Sequence, residues 1–392
     1  MEDNTRVKLG SVYLNFWNTP GHTPESISII LTLVDKKSLE DSHLSVCKPQ
    51  AIFSGDTIFI GDVGRPDLAA TEDGTLTSEK LSEMMYDSVQ RLKELPDEVL
   101  LFPGHGAGSA CGKNISNALF CTMGKQKLNN YAFLENDKEA FVKKLTEDLP
   151  QPPDYFKFNV ELNKNKFLKG SKEIIAKSAN PLSPKEFKEM IDTKKYSILD
   201  CRTKAEFEEY HVPGSLFSPL NAKFAIFAAN IIARPKKPIL LICPKDKQEE
   251  CILRLLRTGI DAVEGYLNDI EEYKNEGYEV IGVDHITSDE LIVDYLNDKP
   301  QLKIVDVRNI GEWKAGHIDN ALMISLPTIK DEIENHIKDK KTKFAVHCKS
   351  GLRSLVCWAF LKSEGYENVK NIKGGYDDLL NKEFRFLKNQ IE

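Results

Sequence analysis

The C-terminal half of the chain repeats itself. Ser197-Ile-Leu-Asp200-Cys-Arg202 matches Lys303-Ile-Val-Asp306-Val-Arg308, Glu206-Phe207 matches Glu312-Trp313, and His211-Val212 matches His317-Ile318. Farther on, Ile239-Leu-Leu-Ile-Cys243 matches Phe344-Ala-Val-His-Cys348, and Glu264-Gly265-Tyr266 matches Gly374-Gly375-Tyr376. Five blocks at an offset that stays between 105 and 110 residues are hard to reach by chance, and a repeat of that length is a domain. Residues 181–283 and 284–392 therefore read as tandem domains meeting near Val283. Each alternates short apolar runs with helical stretches, the pattern of a parallel α/β sheet.

The remaining sequence is long enough for a further domain, since 392 residues suggest two to four. Lys+Arg 53 against Asp+Glu 60 is a mildly acidic balance with no footprint for nucleic acid or a membrane surface. No apolar run reaches membrane-spanning length, and Met1-Glu-Asp-Asn-Thr-Arg6 has no signal-peptide pattern. A cytoplasmic protein without nucleic-acid or membrane partners is expected; a homo-oligomer is left open. The eight cysteines, at 47, 111, 121, 201, 243, 251, 348 and 357, include no CxxC pair. That spacing argues against a disulfide scaffold and against structural zinc. The ordinary fate of such thiols is to stay reduced and partly buried.

Before the repeats, Ser26–Val34, Ala51–Ser54 and Val99–Phe102 read as strands, Ser78–Leu95 as a helix and Asn129–Leu149 as a charged helix. Pro150-Gln-Pro-Pro153 marks a boundary, so the first domain is expected over 1–153 and a polar connection over 154–180.

The loop Cys348-Lys349-Ser350-Gly351-Leu352-Arg353-Ser354 follows the apolar run Phe344–His347 and precedes a helical stretch with few polar residues. Cys348 should therefore sit at the C-terminal end of a strand, where open parallel sheets bind ligands. Loop N–H groups and the helix N-terminus would converge on the sulfur and stabilise a thiolate. Lys349 and Arg353 add positive charge, and Gly351 permits backbone geometry that a Cβ would resist. Such a loop suits sulfane-sulfur transfer through a persulfide, or phosphate ester hydrolysis through a phosphocysteine. Four residues separate Cys348 from Arg353, one fewer than in the cysteine phosphatases that the loop resembles. The tighter ring favours a single sulfur.

Asp306-Val-Arg308, Glu312-Trp313, Gly316-His317-Ile318 and Cys348-x-x-Gly351-x-Arg353-Ser354 together resemble the rhodanese family over about 284–392. The resemblance implies that Cys348 is the nucleophile and that residues 349–354 hold the substrate. It gives Asp306, Arg308 and His317 structural roles. In the first repeat Cys243 is followed by Pro244-Lys-Asp-Lys-Gln-Glu-Glu250. Glycine and arginine are missing there, Pro244 removes an N–H donor and three carboxylates oppose an anion. Residues 181–283 read as a degenerate rhodanese-like domain used for packing or docking.

In the N-terminal domain His22, Asp56 and His105, each flanked by glycine, follow apolar strands and are expected to converge. His plus Asp suits zinc or non-haem iron. Gly61-Asp-Val-Gly-Arg65-Pro-Asp67 and Pro103-Gly-His-Gly-Ala-Gly-Ser-Ala-Cys111-Gly-Lys resemble the persulfide dioxygenase branch of the metallo-β-lactamase fold. That resemblance implies Fe(II), with zinc as a substitute, held by His22 and Asp56. It places His105 just outside the metal's ligands, Arg65 on an anionic substrate and Cys111 near the pocket. The family's His-x-His-x-Asp-His motif is missing, because only 21 residues precede His22 and none is a histidine. Residues 36–50 read as an insertion.

The expected architecture is α/β: a partial metallo-β-lactamase αββα sandwich lacking its opening strands, then two rhodanese-like parallel-sheet domains, as in persulfide dioxygenase–sulfurtransferase fusions. The expected activity is transfer of sulfane sulfur from thiosulfate or a low-molecular-weight persulfide to a thiol or sulfite. The alternatives are a metallo-β-lactamase-fold hydrolase with accessory rhodanese modules and a non-enzymatic sulfur-carrier scaffold.

Overall fold

The computed structural model describes the chain except residues 1, 34–47, 72, 107–108, 110, 113–114, 148, 150–154, 157–170, 222, 233–236, 268, 297–301, 383–386 and 389–392. The expected 36–50 insertion and the Pro150–Pro153 boundary fall largely or wholly outside the described residues. The chain forms two compact units, residues 1–152 and 153–392.

The first unit runs β1 (Thr5–Leu9), β2 (Val12–Asn18), β3 (Ile27–Leu33), β4 (Lys48–Gly55), β5 (Ile58–Phe59), β6 (Asp62–Val63), α1 (Ser78–Leu92), β7 (Leu100–Pro103), β8 (Cys121–Thr122), α2 (Met123–Asn129), α3 (Tyr131–Leu134) and α4 (Lys138–Thr146). Six of the strands make one mixed sheet in the order β1-β2-β3-β4-β7-β8. The β1–β2 hairpin, not anticipated above, turns at Gly10 with φ +59°. The continuous charged helix expected over 129–149 is broken into short helices. Asn130 and Asp137 each accept a backbone N–H two or three residues on, from Ala132 and Ala140, and so start new helices.

This sheet is apolar on both faces. One face, with Ile30, Ile52 and Leu101, packs on Met85, Val89 and Leu92 of α1 and on Phe141 of α4. The other carries Leu33, Phe53 and Leu100 in exposed positions, with Phe53 stacked on Phe102 and Phe102 on Phe120.

The second unit runs α5 (Ser171–Ser178), α6 (Pro184–Asp192), β9 (Ser197–Asp200), α7 (Lys204–Glu209), β10 (Leu216–Phe217), α8 (Phe224–Ile231), β11 (Ile239–Ile242), α9 (Gln248–Leu256), β12 (Val263–Leu267) and α10 (Ile270–Asn275). It continues with β13 (His285–Ile286), α11 (Ser288–Leu296), β14 (Lys303–Asp306), α12 (Ile310–Ala315), β15 (His317–Ile318), β16 (Leu322–Met323), α13 (Ile329–His336), β17 (Phe344–His347), α14 (Leu352–Ser363), β18 (Val369–Ile372), α15 (Gly375–Asn381) and β19 (Leu387–Lys388). The two repeats build parallel sheets of order β10-β9-β11-β12 and β13-β18-β17-β14-β16.

Two expectations need correction. Part of the supposed polar connection is helix α5, whose Ile175 packs against the core, and Asn180 O accepts the N–H of Tyr266. The polar composition hid one apolar face. The fifth repeat block is also misaligned. Gly265 pairs with Leu240 inside the β11–β12 ladder, where the second repeat pairs Ala345 with Lys370. Gly374-Gly375 instead opens α15, whose counterpart α10 is capped by Asp269.

Helix α14 is buried from Ser354 to Leu361, on every side. A helix apolar all round must be covered all round, and here the first repeat supplies the second cover. Trp358 meets Phe207 and His211 edge-on, and its indole N–H donates to Val369 O at 2.9 Å. One core runs from Leu199 and Phe217 through Val356 and Trp358 to Val369. Trp358→Ala should lower the stability of this unit by about 3–5 kcal/mol, measured by denaturant unfolding, with the two repeats losing protection together in hydrogen exchange.

Candidate active site

Cys348 stands at the C-terminal end of β17, with 1% of its surface exposed. Gly351, at φ +89°, turns the chain into α14 and donates its N–H to Cys348 Sγ at 3.2 Å. The other side of the loop is held by α15. Tyr376 N–H donates to Cys348 O (2.8 Å) and Asp377 N–H to Lys349 O (3.0 Å). These bonds occupy the loop's first two carbonyls at the α15 N-terminus, which favours partial negative charge. Gly375 is required for that approach, since a Cβ there would lie 2.5 Å from Cys348 O. Lys349 and Ser350 are exposed and Leu352 half-buried. Ser354 is buried, and its Oγ has no hydrogen-bond partner among the described residues.

Arg353 does not stand free as a cation. It forms a two-point pair with Glu312, NH1 to Oε2 at 2.6 Å and NH2 to Oε1 at 2.7 Å. Glu312 also caps α12 with Asn309. Arg353 thus ties the start of α14 to α12 and neutralises itself there. The cation nearest the turn comes from the first repeat: a methyl group built on Gly351 would lie 3.2 Å from Lys204 Nζ. Nothing in the repeat comparison singles out Lys204, because its role is across the repeats.

Two further groups frame the strand end. Arg308 pairs with buried Asp306 and donates to Gly316 O at 2.7 Å; Arg202, Asp200 and Tyr210 O repeat the arrangement. His317 stacks on Trp313, and His211 on Phe207. His347, missed in the sequence because Ile242 is its counterpart, is fully buried. Burial holds its pKa below the usual imidazole value, and Nε2 lies 3.6 Å from Asp306 Oδ2.

The first repeat keeps the turn but not the donors. Asp246 adopts φ +58° at the place of Gly351, yet no amide of that loop donates to Cys243 Sγ among the described residues. Cys243 is instead one of three buried cysteines, with Cys201 and Cys251.

In the first unit, β2, β4 and β7 end at one edge of the sheet, since β3 is antiparallel to both β2 and β4, and β4 is parallel to β7. This brings His22, Asp56 and His105 together. Asp56 Oδ1 accepts from His105 Nδ1 at 2.8 Å, and Oδ2 lies 3.5 Å from His22 Nε2. His22 Nδ1 is 2.9 Å from Arg65 O. A carbonyl only accepts, so Nδ1 carries a proton and donates to Arg65 O, which leaves Nε2 facing Asp56. Close packing leaves no room for side chains here: a Cβ on Gly104 would lie 2.6 Å from Asp56 Oδ1. Cys111 joins His22 and Asp56, their ligand atoms all within 4.8 Å of one another, and burial pushes its thiol pKa up. Arg65, expected on a substrate, is buried, and its guanidinium grips Asp67 at two points (3.0 and 2.6 Å). This donor set does not fit a mononuclear iron of the two-His, one-carboxylate kind. Among the described residues the third group converging with His22 and Asp56 is the Cys111 thiol, whereas the imidazole of His105 is engaged through Nδ1 with Asp56.

Both repeats match the rhodanese-like domain family, at residues 183–276 and 289–382. A solved metallo-β-lactamase from Staphylococcus aureus subsp. aureus COL is 30% identical, with a TM-score of 0.56, over 69% of this chain and 72% of that one. The chain belongs to the metallo-β-lactamase-fold proteins fused to two rhodanese-like domains. Two curated relatives match only about one domain's length of the chain. A tRNA uridine(34) hydroxylase of Erwinia tasmaniensis is 37% identical over 87 residues, 21% of this chain and 25% of the relative. Rhodanese-like domain-containing protein 17 of Arabidopsis thaliana is 33% identical over 92 residues, 20% of this chain and 59% of the relative. The matched stretch thus spans about a quarter of the hydroxylase's length and just over half of the plant protein's. No helix among the described residues is long and apolar enough to cross a membrane.

The Arg353–Glu312 pair of the second rhodanese-like domain makes stability depend on pH. Burial raises the Glu312 carboxyl, but the Arg353 hydrogen bonds and charge outweigh it and hold the pKa below the usual value. A carboxyl with a lowered folded pKa stabilises fully above its unfolded value, about 4.3, and loses that contribution as pH falls through the folded value. Glu312→Gln should cost about 1–3 kcal/mol at pH 7, and the difference from wild type should shrink below about pH 4 in urea unfolding.

Proposed function

We propose that the protein is a sulfurtransferase that carries sulfane sulfur on Cys348. The observation behind this reading is the Gly351 N–H aimed at Cys348 Sγ where α14 begins, in a ring closed by the α15 amides. Amide donors and a helix N-terminus favour the thiolate and the terminal sulfur of a persulfide. With thiosulfate, the Cys348 thiolate attacks the outer sulfur, forms the Cys–S–S⁻ bond and expels sulfite as the S–S bond of the donor breaks. An acceptor thiolate then attacks the outer sulfur of Cys–S–S⁻, leaves as R–S–S⁻ and returns the Cys348 thiolate. A low-molecular-weight persulfide serves as donor by the same step, with its thiolate as leaving group. Ser354 Oγ, buried and without a hydrogen-bond partner among the described residues, supports this reading as a spare donor in the first turn of α14.

The first rhodanese-like domain contributes to this chemistry as a wall. It covers α14, brings Lys204 to the Gly351 turn and, among the described residues, has no amide on Cys243. The N-terminal cluster points to persulfide metabolism as the setting only through resemblance, and persulfide oxidation is not assigned to it.

Cys348→Ser should abolish sulfur transfer from thiosulfate to cyanide, while Cys243→Ala should retain the wild-type rate. Full activity in the first variant, or its loss in the second, overturns the reading. Lys204→Met should raise KM for the dianion thiosulfate by about 3–10-fold and leave kcat within a factor of two, the result of removing one partly exposed cation. Steady-state kinetics at low and high salt check it, because the difference should narrow as salt screens the charge.

A further inference from the structure

The first rhodanese-like domain contains a second constellation that sulfur transfer does not use. Cys201 follows β9, Cys243 follows the neighbouring β11, and Cys251 lies in α9, which starts just beyond. The parallel pairing of β9 with β11, with Cys201 N–H donating to Ile242 O at 2.8 Å, puts the two strand-end thiols side by side. The three sulfurs all lie within 4.8 Å of one another, and all three residues are buried.

Packing alone does not call for three thiols. In the second repeat Val307, whose N–H donates to His347 O, stands where Cys201 does, and Val356 stands at the same offset from Cys348 as Cys251 from Cys243. Both valines are fully buried. The same architecture therefore accepts apolar side chains at two of the three positions.

We propose that Cys201, Cys243 and Cys251 form a binding site for a soft thiophilic cation, monovalent copper. The donor set is sulfur alone, and Asp200, the nearest buried carboxylate in sequence, is taken up by Arg202. Thiolate-only sites select soft ions. Zinc prefers four ligands in a tetrahedron, and no fourth donor joins the trio among the described residues. Three ligands in an apolar core suit trigonal Cu(I). With metal–sulfur bonds of about 2.3 Å, the sulfurs of such a site stand about 4 Å apart, which needs only small side-chain rotations from the present positions. The loop that follows Cys243 is exposed from Lys245 to Lys247. Each thiol that becomes a thiolate ligand releases its proton to solvent.

The test is an anaerobic titration of the reduced full chain with Cu(I) against a chromophoric Cu(I) chelator. Cys348→Ser serves as background, so that the nucleophile does not contribute and failure of the sulfurtransferase reading stays separate. One Cu(I) per chain should be held, with three sulfur neighbours at about 2.3 Å in X-ray absorption. The double variant Cys201→Val with Cys251→Val copies the residues of the second repeat and should keep the fold. It should lose at least about 100-fold in affinity. Copper should raise the melting temperature of the Cys348→Ser chain but not of the double variant. Equal copper retention by both overturns the proposal. So does a first shell with fewer than three sulfurs, which can be read without any variant folding, or preferential uptake of zinc from an equimolar mixture.

Discussion

The burial of α14 is the constraint on which the second unit rests. Its residues from Ser354 to Leu361 offer no polar stripe, so neither its own sheet nor solvent can satisfy it alone. The first repeat closes the gap, with Phe207 and His211 meeting Trp358 and Phe217 stacked on Phe207. The same helix supplies the N-terminus at which Cys348 sits. Holding the nucleophile loop in place and retaining the degenerate repeat are thus one physical requirement. The repeat whose loop offers no amide to Cys243 among the described residues still packs against the helix that starts at its neighbour's cysteine loop.

Within the loop, geometry is set from behind. The α15 amides bind the carbonyls of Cys348 and Lys349, and Gly375 leaves room for them. Arg353 anchors α12 rather than aiming its full charge at a substrate. The field on the sulfur combines the backbone dipoles with the charge of Arg353, while Lys204 stands beside the Gly351 turn from across the repeat interface. Fixed dipoles do not need to reorganise when charge moves from one sulfur to the next.

Much of this was legible in the sequence. The tandem α/β repeats showed in the Asp-x-Arg and strand–Cys blocks because those residues occupy identical places in two sheets. Gly351 and the order strand, Cys348, helix were readable because local spacing decides them. Lys204, His347 and the cysteine trio were not. Lys204 acts across an interface that no motif records. His347 is set apart only by its burial. Cys201, Cys243 and Cys251 are distant in sequence and meet through β9–β11 pairing, so a search for close-spaced ligands passes over them. Gly265 misled because a glycine in a strand and a glycine at a helix start look alike in a row of letters. In the first unit, Asn130 and Asp137 broke a helix that periodicity carried through. The pairing of Arg65 with Asp67 was not foreseen, although the two stand only two residues apart.

Asp246 bears on how such a loop changes over time. It sits at φ +58°, a conformation that costs a residue with a side chain of order 1 kcal/mol. The bend survived although the glycine did not, so its shape belongs to the joint between a parallel strand and the helix that must fold back over the sheet. What differs is the side chains on that joint: Pro244 stands where the second repeat has Lys349, and Gln248 where it has Arg353. A scaffold of this kind can be emptied of catalysis by side-chain changes while its backbone trace stays nearly the same, and the vacated niche is then available for a different ligand chemistry.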